Sequence, residues 1–200
     1  MNILEINTLQ LSSSPHLFKG VASIKRDEAS EIAAWLRMMI PQKTAKKVCL
    51  LTGTAGQGKT VVLCQLLDEM AKSEHFHIFA IKADMLDYSV IDPTAFISTY
   101  ANELKKLSDL NEYPVLIIDQ IDALSKTLSS DRKPINLLDS LISAISIIPN
   151  ARIIVSCRPY DMDFDPVLSK YRHEKNIGLK SLEVGQVNEV LGRLGMKTYQ

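Results

Sequence analysis

Four short, largely apolar runs punctuate the chain, at residues 48–52, 78–83, 115–119 and 152–156. Each is too short and too continuously apolar for a surface helix, so each predicts a strand buried on both faces. Between them the period changes to that of a helix. Val62, Leu63, Leu66, Leu67 and Met70 form one apolar stripe. Ile97, Tyr100, Ala101, Leu104 and Leu107 form another, opened by Asp92-Pro93 as a cap followed by a first-turn proline. A third, Leu138, Leu141, Ile142, Ile145 and Ile148, follows Pro134 and stops at Pro149-Asn150. Upstream, Ile32, Leu36, Met39 and Ile40 recur at helical spacing behind acidic residues in the first turn, and Pro41 ends the pattern. Residues 176–180 suit a short fifth strand, and 187–194 a final helix.

Two stretches break the alternation. Residues 124–133 read as a polar, Ser-rich loop. Residues 161–165 are acidic and irregular, and a metal loop and a plain turn both fit them. Lacking the twelve-residue pattern of a calcium loop, they read better as a turn. Strands alternating with helices predict a parallel sheet covered on both faces by helices, a three-layer α/β/α fold. In such sheets ligands bind beyond the carboxyl ends of the strands.

Composition adds limits rather than a function. Twenty-three basic and 23 acidic residues leave no net charge, so no global field draws the chain to nucleic acid or an anionic membrane. No direct nucleic-acid contact is therefore expected from this domain. No apolar run approaches the roughly 18 residues that span a bilayer. Residues 1–11 lack a basic start, so a soluble, cytoplasmic protein without a membrane partner is expected. Cys49, Cys64 and Cys157 lie singly in apolar runs and read as buried free thiols. Trp35 reads as a packing anchor. His75 and His77 alternate at a strand entrance without a set of carboxylates or cysteines to complete a metal site, and read as ordinary polar residues.

The chemistry concentrates in Gly53-Thr54-Ala55-Gly56-Gln57-Gly58-Lys59-Thr60, which fits the phosphate-binding loop G-x-x-x-x-G-K-[ST]. A predicted strand precedes it and a predicted helix follows, beginning at Val61. That context separates a binding loop from a glycine-rich turn with an incidental Lys-Thr. The loop's N–H groups and the helix dipole would receive phosphate oxygens. Lys59 would reach the terminal phosphates, and the Thr60 hydroxyl would ligate Mg²⁺. Asp119, closing an apolar strand, is placed to serve the same Mg²⁺; it could instead cap a turn. Asp122 could orient an attacking water or simply cap the next turn. Arg158, after the fourth strand, could reach a γ-phosphate or pair with a nearby acid.

These residues also carry a family resemblance. Gly53 to Thr60, then Leu116-Ile117-Ile118-Asp119-Gln120-Ile121-Asp122, then Ser156-Cys157-Arg158-Pro159, resemble the STAND class of P-loop NTPases, and NACHT-type members most. Ile24-Lys25-Arg26-Asp27-Glu28 and the following helix are similar to the segment that closes over the adenine in that class, which implicates Arg26 in the nucleotide site. The resemblance implies a five-stranded sheet in the order 5-1-4-3-2 and ATP or ADP with Mg²⁺ as ligands. It implies Thr60 and Asp119 as metal residues, Lys59 on the phosphates and Arg158 as sensor. Residues 21–200 would be the NTPase domain, ending before the helical and winged-helix modules usual in the family, with 1–20 an extension or linker. The implied role is a regulatory switch in signalling or antiphage defence, ADP-bound at rest and oligomerising with ATP through domains outside this chain. The family often carries Glu after the second Asp; here Ala123 stands there, which implies slow hydrolysis.

Two other functions fit the same loop. One is an AAA+ or origin-recognition-like ATPase acting on nucleic acid, which the neutral charge disfavours. The other is a small-molecule phosphotransferase, for which Arg132 and Lys133 are the only lid-like cations. No Asn/Thr-Lys-x-Asp guanine-reading motif follows the third strand, which favours ATP.

Overall fold

Side chains that alternate along the central strands divide the interior into two separate cores. The computed structural model of the chain describes residues 11, 24–38, 46–125, 128 and 130–196. Its strands are β1 (Val48–Thr52), β2 (Phe76–Lys82), β3 (Tyr113–Asp119), β4 (Arg152–Cys157) and β5 (Lys175–Gly178). Its helices are α1 (Asp27–Arg37), α2 (Lys59–Met70), α3 (Pro93–Asp109), α4 (Lys133–Ser146), α5 (Pro159–Phe164) and α6 (Val184–Arg193).

On one face, Leu50, Leu116, Ile118, Ile153 and Val155 pack against α3 and α4 through Tyr100, Leu104, Leu138 and Ile142. On the other, Cys49, Leu51, Val115, Ile117 and Ile154 pack against α1 and α2 through Ile32, Leu36, Leu63 and Leu66. A period of two along each strand sends neighbours to opposite layers, so a strand covered on both sides must be apolar throughout. β1 and β4 are buried at every position.

The five strands pair in parallel in the order β2-β3-β4-β1-β5, which is the expected 5-1-4-3-2 read from the other edge. β4 thus lies between β1 and β3, with Leu51 opposite Ser156 and Ile118 opposite Val155. The carboxyl ends of the three central strands lie side by side. Thr52, Asp119 and Cys157 close them.

Helix starts follow their caps. Asp92 accepts the Ala95 N–H at 2.7 Å with Pro93 in the first turn, as the sequence suggests. The face of α3 is rotated from its expected position. Phe96, Tyr100, Leu104 and Ser108 are buried, while Ile97, Ala101 and Leu107 are only half-buried, because one row of fourth residues faces the sheet. β2 starts at Phe76, two residues before the predicted 78, where the Phe76 ring stacks on Tyr113 at 5.3 Å. β5 and α6 likewise start before their predicted first residues. A reciprocal cap between Glu183 and Gln186 opens α6, none of whose residues is buried.

The largest difference lies at 161–165, where most of the expected turn is the helix α5. Pro159 opens it, and Asp161 and Asp165 are fully buried. Arg132 donates to both oxygens of Asp165, at 2.8 and 2.9 Å. His75 and His77 both approach Glu112, far from them in sequence, at 3.3 and 3.5 Å. All three cysteines are free and buried. Trp35 packs in the α1 core. Of the predicted extension, only Leu11 falls among the described residues, and it is fully buried against the α1–α2 layer. Met39, Ile40 and Pro41 lie outside them. Among the described residues no helix is long and apolar enough to cross a membrane.

Candidate functional site

The phosphate-loop sequence leaves β1 at Gly53, whose N–H donates to the Cys157 carbonyl at 3.2 Å, tying the loop to the end of β4. A Cβ at Gly53 would meet Gln57 Oε1 at 2.9 Å and the Leu179 Cβ at 3.2 Å, so a side chain here would displace Gln57 and press on Leu179. Gly58 has φ 99° and precedes α2 without offering a side-chain cap. A left-handed residue here lets the loop turn tightly into the helix, whose leading N–H groups have no intrahelical acceptor. Such a start is suited to an anion.

Lys59 is buried. Its Nζ donates to the Gly53 and Thr54 carbonyls at 2.7 and 3.2 Å, so the amine curls inside its own loop. Gln57 braces the loop from the other side. Its Oε1 accepts the Thr54 N–H at 2.8 Å and its Nε2 donates to the Leu179 carbonyl at 3.1 Å, linking the loop to the exit of β5. Thr54, Ala55 and Gly56 are exposed, and Val61 is half-buried on the first turn of α2.

Asp119 is fully buried at the end of β3. Its Oδ2 accepts the Thr60 hydroxyl at 2.8 Å, and its Oδ1 accepts the Ser156 hydroxyl from β4. The chain then turns through Gln120, at φ 60°, into a short 3-10 segment, Ile121–Leu124. That segment carries Asp122. One of its oxygens lies 3.0 Å from Arg158 Nε; the other, Oδ1, is buried and has no hydrogen-bond partner among the described residues. Burial pushes the Asp122 carboxyl above the usual range, against the opposing pull of the Lys59 and Arg158 charges.

Arg158 Nε also donates to Asp161 Oδ2 at 2.6 Å. Asp161 in turn accepts the buried Ser125 hydroxyl at 2.6 Å. Of the two arrangements the sequence leaves open for Arg158, the geometry displays the pairing with acids. Lys59, Thr60, Asp119, Asp122 and Arg158 are thus gathered at adjoining strand ends.

Arg26 lies on a different side of the loop. Its backbone N–H donates to Gln65 of α2 at 2.9 Å, and its guanidinium is spent on Glu28 and on the Lys180 carbonyl at 2.7 Å. Burial disfavours an ionised Glu28, yet the Lys180 N–H and the Arg26 charge together hold its carboxyl below the usual range. These groups line a cavity of about 120 Å³ with Lys25, Asp27 and Glu183.

The NACHT domain profile matches residues 47–191. The chain belongs to the NACHT family. A nucleotide is therefore the ligand of this NACHT domain, and the phosphate loop falls inside the matched span. No curated protein matches the chain. Among solved structures, it is similar to a chain of the E. coli MS115-1 HORMA:CdnC:Trip13 complex, with TM-score 0.54 and 17% identity over 99% of this chain and 71% of that one. It is also similar to C. elegans PCH-2, with TM-score 0.55 and 17% identity over 84% of this chain and 48% of that one. At that identity the likeness is one of fold. The NACHT domain spans less than half the length of the second.

Several contacts of the site lie beyond sequence reasoning. Ser156 was legible only as part of a strand-end turn, Glu28 only as part of the 24–28 segment, and Asp161, Ser125 and Gln65 carried no motif. The register Leu51–Ser156 would have found Ser156, because it brings a lone hydroxyl on β4 beside the loop-bearing strand.

Proposed function

We propose that this NACHT domain is the ATP-binding, slowly hydrolysing switch of a STAND-type protein in signalling or defence. The observation carrying this reading is the contact of Thr60 with Asp119 at 2.8 Å, beside an Arg158 held between Asp122 and Asp161. It joins a phosphate-loop helix, an acidic strand end and a cation in one cleft.

The donor set suits Mg²⁺, since a hydroxyl and a carboxylate are hard oxygen ligands, and the partners of Asp119 among the described residues are hydroxyls. When bound, the ion would neutralise phosphate charge. Thr60 and Asp119 would hold it. Lys59 would exchange the Gly53 and Thr54 carbonyls for phosphate oxygens, gaining charge-assisted bonds. The α2 N-terminus would receive the anion, and the cavity beside Arg26 would lie toward the base. Asp122 would orient water through its unpartnered oxygen. Ala123, in place of a second acid, is consistent with slow turnover.

Arg158 supplies the switch. A γ-phosphate would compete with Asp122 and Asp161 for its guanidinium, so ATP and ADP would leave β4 and α5 differently arranged. Residues 21–200 form the switch domain in this reading, and nucleotide-dependent oligomerisation would act through further modules. The test is calorimetry of ATP binding to Lys59→Ala. Loss of binding with the fold intact is expected; unchanged affinity would defeat the assignment. Tight binding with slow turnover, unaffected by DNA, would separate a switch from a nucleic-acid machine.

A further inference from the structure

Both carboxylate oxygens of the fully buried Asp119 accept a hydroxyl, but the two hydroxyls are not equivalent. Thr60 stands on the first turn of α2, half-buried and facing the phosphate loop. Ser156 is fully buried within β4. The Gln120 N–H donates to Ser156 Oγ at 2.9 Å. An amide N–H can only donate, so it occupies a lone pair of the hydroxyl and leaves the hydroxyl proton to Asp119. Ser156 is thereby fixed in rotation, with its proton directed at Asp119 Oδ1, which accepts it. Gln120 itself takes the left-handed conformation, φ 60°, which residues with side chains rarely adopt. The turn after Asp119 and the serine on β4 are therefore a matched pair.

We propose that Ser156 is a positioning residue for the metal-bearing acid: pinned by the Gln120 N–H, it holds Asp119 Oδ1 so that Oδ2 alone is left to exchange Thr60 for the nucleotide's divalent cation. This rests on the nucleotide reading above. Thr60 can leave Asp119 without the carboxylate turning, because the Ser156 bond stays. Without that bond the carboxylate would rotate about its last torsion, and its charge would be aimed less well at the ion.

A serine that merely packs would behave differently. Its removal would lower stability and leave the metal dependence of binding alone. The experiment is calorimetry with ATP in EDTA and with ATP in excess Mg²⁺, on wild type, Ser156→Ala and Ser156→Thr, with thermal unfolding in parallel. In wild type, Mg²⁺ should tighten binding. In Ser156→Ala that gain should shrink about tenfold, the worth of one hydrogen bond to a charged group, with the EDTA affinity unchanged. Ser156→Thr, which keeps the hydroxyl, should restore it. An undiminished gain in Ser156→Ala, or equal losses with and without Mg²⁺, would overturn the proposal. Should Ser156→Ala fail to fold, Ser156→Cys carries the test, since its weaker donor should give an intermediate gain and a wild-type gain would refute the role. Wild type binding ATP equally with and without Mg²⁺ would refute this proposal alone. Wild type binding no ATP would refute the nucleotide reading itself.

Discussion

Arg158 donates its Nε–H at 2.6 Å to Asp161, a residue three positions on and wholly out of solvent. A guanidinium so placed is not waiting idle for a phosphate; it is already engaged. Any ligand that draws it away must match a charge-assisted bond, and in the proposed switch that ligand is the γ-phosphate. Arg158→Ala should therefore weaken ATP about tenfold more than ADP, measured by calorimetry with both nucleotides. Equal losses would make Arg158 a tie between β4 and α5.

Asp122 carries a cost to the fold that depends on pH. Burial raises its carboxyl, so the folded protein binds a proton more readily than the unfolded chain does. Stability then falls as pH rises from about 4, where a free Asp ionises, toward the raised folded value. Asp122→Asn removes the charge and with it that cost. Urea unfolding should show the variant more stable than wild type at pH 7, with the advantage shrinking toward pH 4. Its single-turnover ATP hydrolysis should fall about a hundredfold or more with binding kept, as for loss of a general base. Retained hydrolysis would remove Asp122 from the chemistry.

Arg152 fastens α1 to the sheet. Its guanidinium lies 4.5 Å over the Trp35 ring and donates to the Trp35 and Met38 carbonyls at 2.9 and 2.6 Å. Arg152→Ala should cost about 3 kcal/mol, from the lost cation–π contact and the carbonyls left unpaired. Trp35 is the single tryptophan, so its fluorescence reports the change directly. A denaturation midpoint unmoved in urea would show that α1 is held by apolar packing alone.

The sheet was legible because burial on both faces leaves a mark in composition. Residues 48–52 and 152–156 could be nothing but interior strands, and the strand order followed from resemblance to a fold. The loop was legible because phosphate binding demands glycine at particular places. Buried ion pairs leave no such mark. Residues 161–165 read as a plain acidic turn because only tertiary structure brings Arg158 and Arg132 to Asp161 and Asp165. Glu112 reached His75 and His77 for the same reason, from 37 positions away in the first case. Pairing across long sequence separations is a property of topology, and periodicity does not encode it.

The place of β4 between β1 and β3 has a consequence for how the protein comes into being. β1 carries the phosphate loop and β3 the acid, yet neither pairs with the other. Until residues 152–157 have been made and inserted, both strands keep an unpaired edge, and nothing holds Thr60 near Asp119. The cleft is thus among the last things to form, and non-local parallel pairing of this kind is slow. A chain made only as far as β3 would lack the assembled cleft, and nucleotide capture would report that β4 had been inserted.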